Sequence, residues 1–284
     1  MSALKAYATL AQLRARNQVA SGDTSDDMRY LAKLRAASAA IDRYTLRSFQ
    51  PVVETRKFDW IDAGRLTFRS QELLSLTSVI DGSGRTIDPT AIVLQGGAND
   101  ATGPYYGFIL DPSKAYLLFL TTPVRAIVIS GMWGYHDDWA NAFHDSGDTV
   151  QDASLSASAT TITVTNTAGT DTWALTPRFS AGQMIQIDSE WLAVLATAST
   201  TLTVVRGING TTAAVHAQTT KISVYAPPAD INEACARWAA FLLAQDDTDF
   251  THSVTVPLGA TVIPPQAPPD IARLLDPYVK KRVA

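Results

Sequence analysis

The chain has 284 residues, 46% hydrophobic and 18% charged, enough to bury a core without cross-links. Its formal net charge is −4, so it lacks the surplus of Lys and Arg by which a protein grips DNA through its phosphates. The single cysteine, Cys235, excludes an internal disulfide, and no apolar run reaches the roughly 18–20 residues that span a bilayer.

Residues 5–20 carry a weak helical pattern (Tyr7, Leu10, Leu13, Val19), and "MSALKAYATLAQLRARNQ" lacks the apolar core and cleavage site of a secretory signal. "SGDTSDD" (21–27) reads as a helix start. Thr24 or Ser25 can cap free N–H groups, and Asp26 and Asp27 suit the positive end of the dipole. Tyr30, Leu34, Ala37, Ile41 and Tyr44 then form one apolar stripe, and Pro51 bars continuation. From Val52 to Ile129 the pattern is of strands: "VVETRKFDW", "RLTFRS", "LLSLTSVID", "AIVLQ", "YYGFILD", "AYLLFL" and "VRAIVISGMW", split by turn signals such as "DGSG".

A Thr-, Ser- and Ala-rich stretch from about Asp148 to Tyr225 reads as a small all-β module, with "TTITVTNT", "QMIQIDS", "EWLAVLATA", "TTLTVVRG" and "TKISVY" as strands and Asn209-Gly210 as a tight turn. Helices return at "PPADINEACARWAAFLLAQ". Asp230 stands in capping position there, and Ile231, Cys235, Trp238 and Leu242 share a face, so Cys235 is expected to be a buried small side chain. A polar, Pro-rich connection (246–265) leads to "PPDIARLLDPYVKKRVA", whose basic end suits a helix C-terminus. The expected class is α+β: a small helical bundle packed with an antiparallel β region, plus an inserted all-β domain of sandwich or barrel type. Because a helix stripe needs a partner face, residues 1–148 and 226–284 are expected to form a discontinuous core around an insertion at 149–225.

Four pieces carry a family resemblance: "YATLAQLRAR" (7–16), "DDMRYLAKLRAASAAIDRYTLRSFQPVVETRKFD" (26–59), "ISGMWGY" (129–135), and "PPADINEACARWAAFLLAQDD" with "PPDIARLLDPYVKKR". In this order they resemble the head–tail connector (adaptor, head-completion) proteins of long-tailed bacteriophages. In typical members the strand ending in Trp-Gly-Tyr leads almost directly to the Pro-Pro helix. The roughly 90 residues between them here support the insertion reading. "IDSEWLAVLATASTTLTVVRGINGTTAAVHA" is similar to short β modules of other phage structural proteins.

The resemblance implies a structural virion protein, not an enzyme, made in the host cytoplasm and located in the neck. Copies would form a homo-oligomeric ring, expected to be dodecameric, under the portal protein. The ring would extend the channel through which DNA passes without specific binding, and would meet a stopper or tail-completion protein below. No cofactor, metal or membrane is implied. Tyr278, Lys280, Lys281 and Arg282 are the expected portal contacts, because adaptor tails dock on the portal ring. A mildly acidic wall suits a channel that lets DNA slide.

"GMWGYHDDWANAFHDSGD" (131–148) gathers His136, Asp137, Asp138, His144, Asp145 and Asp148, residue types that ligate metals, but at no recognised ligand spacing. The preferred reading is a solvated exit loop, with Trp133 and Tyr135 as packing aromatics and Trp139 and Phe143 at the root of the insertion. Asp188 and Glu190 beside Trp191 have the look of a carboxylate pair, and turn solvation is preferred for them. His216 and His252 lack a local nucleophile, and no phosphate-binding, dinucleotide or nucleophile-elbow motif occurs. "VTVPLGATVIPPQ" (254–266) reads as an arm or an ordered loop. The rival functions are a decoration module whose β domain binds host glycan or capsid, and an enzyme built on the His/Asp stretch.

Overall fold

A computed structural model describes residues 5–20, 23–68, 71–96, 103–247 and 267–280. The class is α+β, as expected. In chain order, helices α1 (Leu10–Arg16) and α2 (Asp27–Thr45) are followed by strands β1 (Val52–Phe58), β2 (Arg65–Thr67), β3 (Leu73–Ile80), β4 (Ile92–Gly96), β5 (Tyr105–Leu110) and β6 (Ile127–Trp133). Then come β7 (Phe143–Thr149), β8 (Ser154–Leu155), β9 (Thr161–Thr163), β10 (Met184–Ile187), β11 (Glu190–Ala198), β12 (Thr201–Val205), β13 (His216–Ala217) and β14 (Lys221–Tyr225). Helices α3 (Ala229–Asp247) and α4 (Pro269–Leu275) close the described chain.

The chain divides into two compact units, 1–47 with 143–284, and 48–142. The boundaries differ from those read in the sequence. Strands β1–β6 form a unit of their own, and the terminal helices share theirs with the Thr-rich module. The module's sheet also starts earlier than residue 149, because β7 pairs with β14.

In the first unit, α2 packs on α3, α3 on α1 and α4, and α2 on α4. The α2 stripe buries Leu34, Ala37, Ser38, Ile41 and Thr45. Across from it α3 buries Ile231, Ala234, Cys235, Trp238 and Ala239. Small residues on both faces let the backbones approach, and Ser38 Oγ lies 3.3 Å from Cys235 Sγ. The stripe ends at Leu46, which is left-handed (φ 57°), before Pro51 is reached. Neither Thr24 nor Ser25 caps α2. Asp26 holds the N-cap position without a side-chain bond, while Asp23 accepts from the Ser25 N–H at 3.0 Å. The capping box lies on α1 instead, between Thr9 and Gln12.

The module in this unit is a six-stranded antiparallel sheet, β7-β14-β10-β11-β12-β9, with the pair β13-β8 beside it. Ile162, Ile185, Ile187, Leu192, Val194, Leu202, Val204, Ile222 and Val224 form its core by period-two alternation. The start of α1 is bonded to it: Leu10 N–H donates to Ala181 O (3.1 Å) and Ala11 N–H to Ser180 Oγ (3.1 Å).

The second unit is an antiparallel sheet in the order β1-β6-β3-β5-β2, with β4 on β5. Trp133, Phe68, Phe108, Leu73 and Ile129 are buried in its core. The Trp133 ring centroid lies 5.6 Å from Phe58 and 5.3 Å from Phe68, and its Nε1–H donates to Glu54 O at 3.0 Å. Tyr135 packs edge-on to Phe49 at 5.7 Å. The run "AYLLFL" (115–120), expected as a strand, makes only an isolated bridge, Gly82 to Phe119.

Candidate functional site

The motifs that carried the resemblance meet at the end of α2. Tyr44 OH donates to Asp276 Oδ1 at 2.7 Å, and this bond to a carboxylate raises the phenol's pKa. Arg47 donates to Tyr278 O at 2.8 Å, and Lys280 N–H donates to Thr45 O at 2.9 Å. The Ile-Asp-Arg-Tyr helix end is thus the seat of the Leu-Leu-Asp-Pro-Tyr tail. Tyr278 is only 8% exposed, and its OH lies 3.4 Å from Asp230 Oδ2. Of the four expected portal contacts, Tyr278 is therefore inside the helical cluster and Lys280 is held by its backbone, while Lys281 and Arg282 lie outside the described residues. Cys235 is buried, and burial pushes its thiol up to about 11.

The stretch 131–148 is a solvated loop only around Asp137 and Asp138, which are exposed. His136, His144 and Asp148 are all buried, and residues 143–149 are strand β7. It is also divided, since His136, Asp137 and Asp138 belong to the second unit and His144, Asp145 and Asp148 to the first. His136 Nδ1 accepts from the Asp138 N–H at 3.0 Å, and Asp138 accepts from Asn141 at 2.8 Å. His144 Nε2 lies 2.8 Å from Asp171 Oδ2, and its ring stacks on Trp173 at 4.1 Å. Asp148 accepts from the N–H groups of Thr149, Thr165 and Asn166 and from Arg178 at 2.7 Å. Burial pushes its carboxyl up, but the backbone donors outweigh burial and hold the pKa below its ordinary value. Phe143 packs on Trp191 at 6.0 Å and Tyr225 at 5.2 Å, at the root of the module.

Sequence reading missed the densest polar cluster. Glu190 is buried, not a turn residue in solvent, and Arg206 grips it bidentately at 2.6 and 2.7 Å. Gly207 N–H (2.9 Å), Ala214 N–H (3.0 Å) and His216 Nε2 (2.9 Å) complete its shell, and His216 Nδ1 lies 2.7 Å from Asp188. Burial pushes the Glu190 carboxyl up, but the Arg206, Ala214 and His216 hydrogen bonds prevail and set it at about 2. A signal was there: period two puts Glu190 on the face of Leu192 and Val194, where a carboxylate needs a cation. The result is a fixed 206–216 loop with every carboxylate lone pair engaged, a device that locks the turn rather than one that presents a reactive acid.

An open polar groove of about 570 Å³ lies over β10 and β14, lined by Gln186, Asp188, Gln218, Thr219, Lys221 and Ser223 among others. Among the described residues no group of three or more His, Cys, Asp or Glu is placed to hold a metal ion, and no helix is long and apolar enough to cross a membrane. His252 and the 254–266 segment lie outside the described residues.

No protein-family model matches the chain. A search of curated proteins finds no match. Among solved structures, the chain is similar to one from the "Neck of empty GTA particle computed with C6 symmetry", with 14% sequence identity and a TM-score of 0.40, over 97% of this chain and 90% of that one.

Proposed function

We propose that this chain is a structural virion protein: a head–tail connector adaptor that forms a ring under the portal, extends the DNA channel and joins capsid to tail. The observation that carries this reading is the seating of the 276–280 tail on the end of α2, which brings together motifs that sequence reading assigned to one family and that stand some 230 residues apart. Such a junction holds residues 276–280 against the end of α2. In this reading Lys281 and Arg282 meet the portal, and Tyr278 and Lys280, whose ammonium is buried, act from inside by anchoring them. The task is mechanical and asks no catalysis or cofactor of the chain. A ring needs only a rigid subunit with complementary sides that close by rotation.

Electron microscopy of the full chain mixed with its portal tests the reading. Rings stacked on the portal's tail-side face are expected. Particles that purify with an intact neck but without this polypeptide would remove it. The polar groove favours a second reading, in which the β module also binds a host glycan. A glycan array probed with the full chain separates the two.

A further inference from the structure

The run 115–124, apolar enough to pass for a strand, is instead a surface ridge in the second unit. Tyr116, Leu118, Phe119, Leu120 and Val124, with Ile61 beside them, are 37% to 77% exposed. They present roughly 500 Å² of apolar surface, the size of the largest patch on a typical monomer, which is often a functional one.

The ridge is fixed along its length. On one side Trp60 N–H donates to Pro123 O (2.7 Å), Trp60 Nε1–H to Leu117 O (3.0 Å) and Leu117 N–H to Ala63 O (2.6 Å). Trp60 also packs on Phe119 at 4.8 Å. On the other side Gly82 N–H donates to Leu118 O at 2.8 Å. A Cβ on Gly82 would stand 2.9 Å from Phe119 Cα, so the ridge backbone lies directly on that glycine. Ala115 and Leu117 point inward and anchor it. Apolar side chains held rigidly in water lose little conformational freedom when covered.

We propose that this ridge is the surface through which one copy of the chain binds the next. Two observations favour a second copy over other occupants. A stable contact buries about 800 Å² per partner, so the ridge supplies the apolar centre of one such contact and its margin the polar rim. The margin is also balanced in charge: Arg85 pairs with Asp81, Lys114 with Asp111 and Arg65 with Asp62. A balanced rim meets another copy without like-charge repulsion, and offers nothing to phosphate or an anionic lipid surface. The inference rests on the ring reading above for how the contact closes.

The test compares the full chain with Leu120→Asp and Val124→Asp by sedimentation velocity and native mass spectrometry, alone and with the portal. Val215→Asp, at a 65% exposed site on the β module, is the control. Both ridge variants should melt like the wild type, because neither site is buried. The expected result is a self-association midpoint raised at least tenfold in both ridge variants and unchanged in the control. Normal assembly by Leu120→Asp overturns the proposal, as does a wild type that stays monomeric both alone and on the portal. Normal self-association with lost portal binding gives the ridge to the portal and also overturns it. Self-association that the ridge variants abolish, in a chain that binds no portal, leaves this surface standing and removes the adaptor reading.

Discussion

In residues 48–142 the core is built around aromatic rings, with Trp133 against Phe58 and Phe68 and the Arg56 guanidinium 4.5 Å from the indole. The Thr-rich module in the other unit buries aliphatic residues and, inside them, charges. Glu190 with Arg206 and Asp148 with Arg178 pair there with little solvent access, and the buried His144 ring is hydrogen-bonded to Asp171. The aromatic core gains mainly from area removed from water. The module's short strands leave long connections, and its buried ion pairs tie those connections down: Arg206 also donates to Ser156 O and Ala214 O, and Arg178 to Thr170 O. Buried pairs add little net stability over an apolar replacement but make loss of one partner costly. They are a way of specifying loops, where rings specify a core.

Four experiments break or sharpen this contrast. Trp133→Ala should have the largest effect, about 4 kcal/mol by denaturant melts, from lost burial and an unfilled cavity. Hydrogen exchange should place that loss in 48–142. Arg206→Ala should cost about 3 kcal/mol by leaving Glu190 buried without its cation, with the loss confined to the module. Replacing Arg206 and Glu190 together with Met and Leu should recover little of it, because the Gly207 and Ala214 N–H groups and the Ser156 and Ala214 carbonyls lose their partners.

Acid should act through the same carboxylate. Glu190 is depressed from 4.5 to about 2 in the folded chain. Its contribution is therefore complete above pH 4.5 and fades as pH falls towards 2. By linkage about 2 kcal/mol should be gone at pH 3, and Glu190→Gln should flatten that part of the acid melt. The smallest effect is expected where the second unit does bury a carboxylate. Asp81 accepts from the N–H groups of Ser83 and Arg85 at a turn. Asp81→Asn keeps an oxygen for those bonds and should cost about 1 kcal/mol. A loss as large as that of Arg206→Ala would erase the distinction between the two regions.

Most elements could be read from the chain because their signals are local. The α2 stripe, strands β9–β12 and β14 of the module and the two Pro-led helix starts follow from spacing alone. "AYLLFL" failed because an unbroken apolar run reads as a strand, whereas beyond the isolated Gly82–Phe119 bridge no strand pairs with it; Gly82 and Ala63 take its backbone bonds instead. The acidic stretch at 143–148 failed for a related reason. Asp145 and Asp148 look like loop residues, but β14 supplies a pairing edge and Arg178 a counter-charge, and both come from later in the chain.

The amino-acid order by itself determined the class, the helix faces and the presence of a Thr-rich β module, since each depends on side-chain periodicity within some twenty residues. It also brought Tyr44 and Tyr278 to notice as motif residues. Only the tertiary structure decided which strands share a sheet, that β7 belongs with the module, that Glu190 is an ion-paired core residue, and that Tyr116 and residues 118–124 face water. Those outcomes depend on which distant group satisfies a buried donor, acceptor or charge, and period and spacing say that a partner is needed without saying which one arrives.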